Sequence, residues 1–196
     1  MQSRTARPTA PASSGAHPCQ DAAALGAELA TVVAGARRRA VRDGDRQVDT
    51  AHLLHSLLEQ DPEVRSAVGG PPQLARLLGY LVQRSIGYGL RWQGSVEDSG
   101  AIPVVPRPAA GDAGDWSPAA AAALHGARER ARRRGGHTAG ATDLFAALVA
   151  DPDSRAVEVL ERAGIDAREL SDRIEATGSG GPGAGGHGEF AQDADF

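Results

Sequence analysis

Leu25, Leu29, Val32, Val33, Ala36 and Ala40 recur at the three- and four-residue spacing of one buried helical stripe, and the pattern stops at Gly44. This predicts a first helix that begins near Asp21. A second stripe, Leu53, Leu54, Leu57 and Leu58, lies within Thr50–Glu59, with Thr50 as the expected N-cap. Asp61-Pro62 reads as a cap followed by a first helical residue, where the missing proline N–H costs nothing. From Gln73, the positions Leu74, Leu77, Leu78, Leu81, Val82 and Ile86 predict a fourth helix that fades at Gly87 and Gly89. Ser117-Pro118 opens a fifth, with Leu124, Ala127 and Ala131 inward until Gly135-Gly136. A sixth runs near Ala141–Ala150, a seventh near Ser154–Ala163 until Gly164, and Asp166 with Glu169 forms a capping box for an eighth that buries Leu170 and Ile174. No stretch alternates apolar and polar residues for long, so the pattern specifies an all-α fold.

The pattern is also written twice. Ala36-Arg37-Arg38-Arg39-Ala40 and Gly44 correspond to Ala127-Arg128-Glu129-Arg130-Ala131 and Gly135, 91 positions later, and Thr50–Glu59 corresponds to Ala141–Ala150. After a one-residue slip, Asp61-Pro62-Glu63-Val64-Arg65 faces Asp151-Pro152-Asp153-Ser154-Arg155. A helical unit that cannot bury its own apolar face gains a core by stacking on a second copy. The expected organisation is one helical domain over 21–176: repeat 1 at about 21–90, a Gly- and Pro-rich linker at 91–115, and repeat 2 at about 116–176. Residues 1–20 and the Gly-rich 177–196, which closes on Phe190-Ala191-Gln192-Asp193-Ala194-Asp195-Phe196, carry too little to bury and read as disordered tails.

Composition narrows the chemistry. All 21 basic residues are Arg, so a P-loop nucleotide site, a Schiff-base enzyme and a Ser-x-x-Lys acylase lack their essential lysine. Cys19 is the single cysteine and cannot close an intramolecular disulfide. The first 20 residues contain no apolar signal-peptide core and no stretch is long enough to span a bilayer, so the expected location is the cytoplasm, with no membrane partner. His52 and His55 stand three apart, but the sequence shows no third ligand near them, and no catalytic, cofactor or metal site is assigned. Two Arg clusters, Arg37, Arg38, Arg39 and Arg42, then Arg128, Arg130, Arg132, Arg133 and Arg134, occupy equivalent helix ends, where cations already favour the macrodipole. Their other readings are an acidic or phosphorylated protein partner, or nucleic acid. The net charge of −4 and the lack of interleaved aromatics argue against nucleic acid.

Asp49-Thr50-Ala51-His52-Leu53-Leu54 followed by Leu57-Leu58, and Gly140-Ala141-Thr142-Asp143-Leu144-Phe145 followed by Leu148-Val149, resemble the Gly-Thr-Glu-His-hydrophobic-Leu-x-x-Leu step of the Clp R domain, the amino-terminal repeat domain of Clp unfoldases. Val159-Leu160-x-x-Ala163-Gly164-Ile165-Asp166 is similar to a further step of that family. The resemblance implies two four-helix repeats folded as one all-α unit, here without ATPase modules. It also implies, for ClpC-type relatives, phosphoarginine pockets built on a carboxylate before the first-helix Ala and a Thr-Glu pair. Arg39 and Arg130 stand at the carboxylate positions, only Thr50 survives of the first pair, and Ala141 and Thr142 replace the second, so phosphoarginine binding is not carried over. The expected function is a non-catalytic protein- or peptide-binding module, an accessory or regulator of a Clp ATPase-protease system that binds the ATPase or its substrates. Candidate contact residues are Arg38, Arg39, Thr50, His52, Arg130, Arg133 and Thr142, and a monomer is expected. The alternatives are an Arg-driven nucleic-acid-binding regulator and a protein that sequesters a peptide-like antibiotic.

Overall fold

A computed structural model of the chain describes residues 25–85, Glu97 and 115–179. Among them lie eight α-helices and no strand: α1 (Ala27–Asp43), α2 (Thr50–Gln60), α3 (Pro62–Val68), α4 (Pro71–Ser85), α5 (Pro118–Arg133), α6 (Ala141–Val149), α7 (Arg155–Arg162) and α8 (Ala167–Ser179). The all-α expectation is met, with shifts at the ends. The first helix starts at Ala27 rather than near Asp21, and the fourth starts at Pro71. Helix α8 continues to Ser179, past the expected boundary at 176. The tails and nearly all of the linker fall outside the described residues.

The N-cap of α2 is Asp49, not Thr50. Asp49 Oδ1 accepts from His52 N at 3.0 Å, and Asp49 N donates to His52 Nδ1 at 3.1 Å, so a histidine fills the place that Glu or Gln takes in an ordinary capping box. Ser117 and Asp166 cap α5 and α8 as expected, and Ser154 caps α7.

Helices α2 and α6 form the centre. Every residue from Thr50 to Leu58 is buried, and α2 touches α1, α3, α4, α5, α6 and α7. The most extensive contacts are α1 on α2 and α5 on α6, the same pair in each repeat. Leu29, Leu53, Leu54, Leu57, Leu77, Leu144, Phe145, Leu148, Leu160 and Leu170 fill a continuous core, each worth about 1.5–3 kcal/mol on burial.

The twofold relation is visible in hydrogen bonds. Gly44 and Gly135 both adopt left-handed φ (73° and 75°), and the following residues, Asp45 and Gly136, donate to Ala40 O and Ala131 O at 3.0 and 2.9 Å. Leu25 forms a parallel bridge to Ala139, and Val48 forms one to Trp116. Each of these residues is 91 positions from its counterpart in the other bridge, so each repeat lends its helix-entry segment to the other. Ser117 N donates to Val48 O at 2.9 Å and Gly26 N to Ala139 O at 3.1 Å, which fixes the two units in one body.

Candidate functional site

Where the repeats meet, one carboxylate gathers three helix starts. Glu97, 5% exposed, accepts from the first backbone N–H groups of α2 (Thr50 N, 2.9 Å) and α7 (Arg155 N, 2.7 Å), and from the hydroxyls of Ser117 (2.8 Å) and Thr50. Helix N-termini present unpaired donors and positive partial charge, so a buried carboxylate is stabilised there. Thr50 Oγ1 also accepts from Ala156 N at 3.0 Å. Thr50, expected as a ligand contact, is thus a buried part of the inter-repeat joint.

Beside it lies a buried ion cluster. Arg155 Nη1 reaches Asp49 Oδ2 at 2.7 Å, and Arg84 binds both Asp49 and Asp45, the latter at 3.0 Å. His52 sits between the same carboxylates, with Nδ1 2.8 Å from Asp49 Oδ1 and Nε2 3.2 Å from Asp45 Oδ2. Burial alone would raise the Asp49 pKa, but the His52 hydrogen bond and charge, with Arg84 and Arg155, hold it well below the usual carboxylate range. Burial opposes charge on His52, yet Asp45 and Asp49 raise its pKa above the ordinary histidine value. Asp45, Asp49 and His52 do place possible ligand atoms within 4.8 Å of one another, a third partner the sequence did not reveal. Two guanidiniums already engage these carboxylates, Arg84 on Asp45 and Asp49 and Arg155 on Asp49, so the group is an ion-pair network. His55 does not join it. Its Nε2 approaches Glu59 at 3.8 Å, and burial, with the Arg39 charge, lowers its pKa to about 4.

The two arginines at the expected acid positions are not free cations. Arg39 pairs with Glu59, and Arg130 pairs with Glu175 and lies 3.7 Å from Asp143, which Arg134 also binds at 2.5 Å. Their side chains are only 11% and 14% exposed. Arg38 and Arg133 point to solvent from α1 and α5, and Thr142 is half-buried at the start of α6. The seven candidates therefore do not form one site: Thr50 and His52 are internal, Arg39 and Arg130 are largely covered, and Arg38 lies apart.

An open groove of about 440 Å³ runs along repeat 2 between α5, α6 and α8. Ala119, Ala122, Ala123 and Gly126 on one face of α5 form its floor, opposed by Ala146 and Ala147 of α6. Arg130, Arg133 and Glu175 line one end, while Asp151, Pro152 and Thr50 lie towards the inter-repeat joint. Burial raises the pKa of Asp151 above the usual carboxylate value, with the nearby Asp153 charge acting the same way. In repeat 1 the corresponding surface is filled. Ser56 Oγ donates to Val32 O at 2.8 Å, and Gln60 Nε2 lies across the helix pair, donating to Ser56 Oγ at 3.0 Å and Thr31 O at 3.3 Å. A methyl on Gly35 would run into Ser56 Oγ, whereas one on Gly126 would meet only Ala147 Cβ at 3.4 Å. The alignment of the repeats carried this signal, since Ser56 becomes Ala147 and Gln60 falls at the one-residue slip and has no counterpart. It becomes meaningful only once those positions are known to share a cleft.

Residues 116–194 match the Clp repeat (R) N-terminal domain family. Among solved structures, the N-terminal domain of the caseinolytic protease associated chaperone ClpD from Arabidopsis thaliana superposes with a TM-score of 0.54 at 16% identity, covering 79% of this chain and 94% of that one. A chain from structural investigations of a malarial protein secretion system gives the same TM-score at 11% identity, over 79% and 95% of the two chains. No curated protein sequence matches the chain. The described chain as a whole has the fold of Clp N-terminal domains.

Proposed function

We propose that this protein, which has the fold of Clp N-terminal domains, is a non-catalytic interaction module that holds an extended peptide segment of a protein partner in the repeat-2 groove, as an accessory or regulator of a Clp ATPase-protease system. Clp N-terminal domains are protein-interaction modules, which supports the class of function. The observation that carries the reading is the asymmetry of the repeats: the α1–α2 surface is closed by Ser56 and Gln60, while the α5–α6 surface is left open by alanine and glycine.

From Ala119 to Arg133 the α5 floor extends about 21 Å at 1.5 Å per residue, the length of about six residues of extended peptide. Small floor residues leave room for apolar side chains of the ligand. Arg133 at the mouth, with Arg132 and Arg134 exposed beside it, favours an acidic residue at that end.

The test uses two fluorescein-labelled hexapeptides, one with leucines flanked by Glu and one with the same leucines flanked by Lys. Fluorescence anisotropy should show saturable binding of the acidic probe, weakening with salt. Ala147→Phe, which fills the cleft from the half-buried face of α6, should weaken it at least ten-fold with helicity unchanged. Equal binding by Ala147→Phe, or preference for the basic probe, would sink the reading, and salt-steep binding of duplex DNA instead would promote nucleic acid.

A further inference from the structure

One end of the groove carries Arg133 beside the Arg130–Glu175 pair, and the same chain supplies acidic and aromatic residues just beyond the helix that forms one wall. Residues 180–196 contain no arginine. Their last eight positions hold Glu189, Asp193 and Asp195 together with Phe190 and Phe196, two of only three phenylalanines in the sequence. Ser171 and Glu175 of α8 line the groove, and α8 ends at Ser179, four residues past Glu175. The nine residues 180–188 span at most about 30 Å, longer than the floor of the groove.

We propose that residues 189–196 are a ligand of this chain's own groove. The Asp193 and Asp195 carboxylates meet the Arg133 end, and a phenylalanine ring lies on the alanine floor. The inference rests on the groove being a peptide site and adds its regulation: an incoming partner must displace the chain's own acidic segment. Charge favours this occupant, because Arg133 lines the groove mouth, beside Arg132 and Arg134 which pair with Glu129 and Asp143, while every charged residue of the segment is acidic. Tethering does the rest. A short connection holds the segment at an effective concentration of about millimolar, so even weak intrinsic affinity keeps the groove occupied.

The experiment uses the full chain and a full-chain variant carrying Phe190→Ser, Asp193→Ser, Asp195→Ser and Phe196→Ser, substitutions outside the helical core. Two probes are titrated into each: a labelled synthetic peptide of residues 188–196, and the acidic hexapeptide described above. The variant should bind both probes about ten-fold or more tightly than the parent, and adding Arg133→Glu to the variant should remove most of that gain. Equal affinity of parent and variant for the hexapeptide would overturn self-occupancy while leaving the groove as a peptide site. A variant that binds the hexapeptide but not the 188–196 peptide overturns it as well. If neither probe binds either protein, the groove reading itself falls.

Discussion

Glu97 is the residue whose removal should be felt furthest. Glu97→Ala takes the acceptor from two helix-start N–H groups, Thr50 N and Arg155 N, and from the Ser117 and Thr50 hydroxyls, all in buried surroundings. Losing a cap costs about 0.5–2 kcal/mol per helix, and hydrogen bonds to a charged group contribute about 1.5–3 kcal/mol each before water re-enters. Two uncapped helices and two stranded hydroxyls, partly rehydrated, bring the expected loss to about 3–4 kcal/mol. For a domain of this size each kcal/mol lowers Tm by about 2–4 °C, so the variant should melt roughly 10 °C below the parent. Glu97→Gln should lie between the two, because its NH2 faces donors on one side of the carboxylate position. Ser117→Ala, which also removes the α5 cap to Ala120 N, should cost about 1 kcal/mol. Thermal unfolding followed by circular dichroism at 222 nm decides the matter. A Glu97→Ala protein of native helicity that melts within about 2 °C of the parent would refute the clamp.

Asp49→Ala should destabilise by about 3–5 kcal/mol in urea unfolding, since it uncaps α2 and leaves Arg84 and Arg155 buried beside one fewer counter-charge. His55 gives a pH signature. With a folded pKa of about 4, below the ordinary 6.5, its contribution is complete above pH 6.5 and is lost as pH falls towards 4, because only the unfolded chain takes up the proton there. His55→Gln should therefore lose less stability than the parent across that window, by up to about 3 kcal/mol; parallel pH curves would contradict this. His52, whose pKa is raised, acts in the opposite sense, stabilising below pH 6.5 and losing that contribution as pH rises through its folded value. Free phosphoarginine should give no saturable calorimetric signal below about 1 mM, since Arg39 and Arg130 occupy the acid positions and are themselves paired.

The helices were legible because their signals are local: Ser117-Pro118, Asp61-Pro62 and the glycines at 44 and 135 each act within one turn of chain. The offset of 91 was legible too, and it foreshadowed the paired bridges of Leu25 with Ala139 and Val48 with Trp116. The candidate site was much less so. Thr50 and His52 were named as contact residues from their place in the Clp-like step, yet tertiary packing turned both inward onto Glu97, Asp45 and Asp49. Arg39 and Arg130 looked like free charges because Glu59 lies 20 positions from one and Glu175 lies 45 positions from the other. Glu97 stood next to Asp98 in a Gly- and Pro-rich run, with nothing in its neighbours to suggest that it reaches the centre. The groove was written as alanine, a residue that signals helix and says nothing of a cavity until its partner helix is placed.

The reciprocal bridges constrain how such a chain can reach its native state. Leu25 waits for Ala139 and Val48 for Trp116, contacts separated by 114 and 68 positions, so neither half can complete its own helix entries in isolation. An array of ordinary helical repeats can zip up from any point, one neighbour at a time. Here the loop must close before either unit is rewarded, and closure across such separations slows folding relative to a helical bundle of the same size. The two repeats should consequently share a single unfolding transition, and each half expressed alone should remain uncommitted until it meets the other.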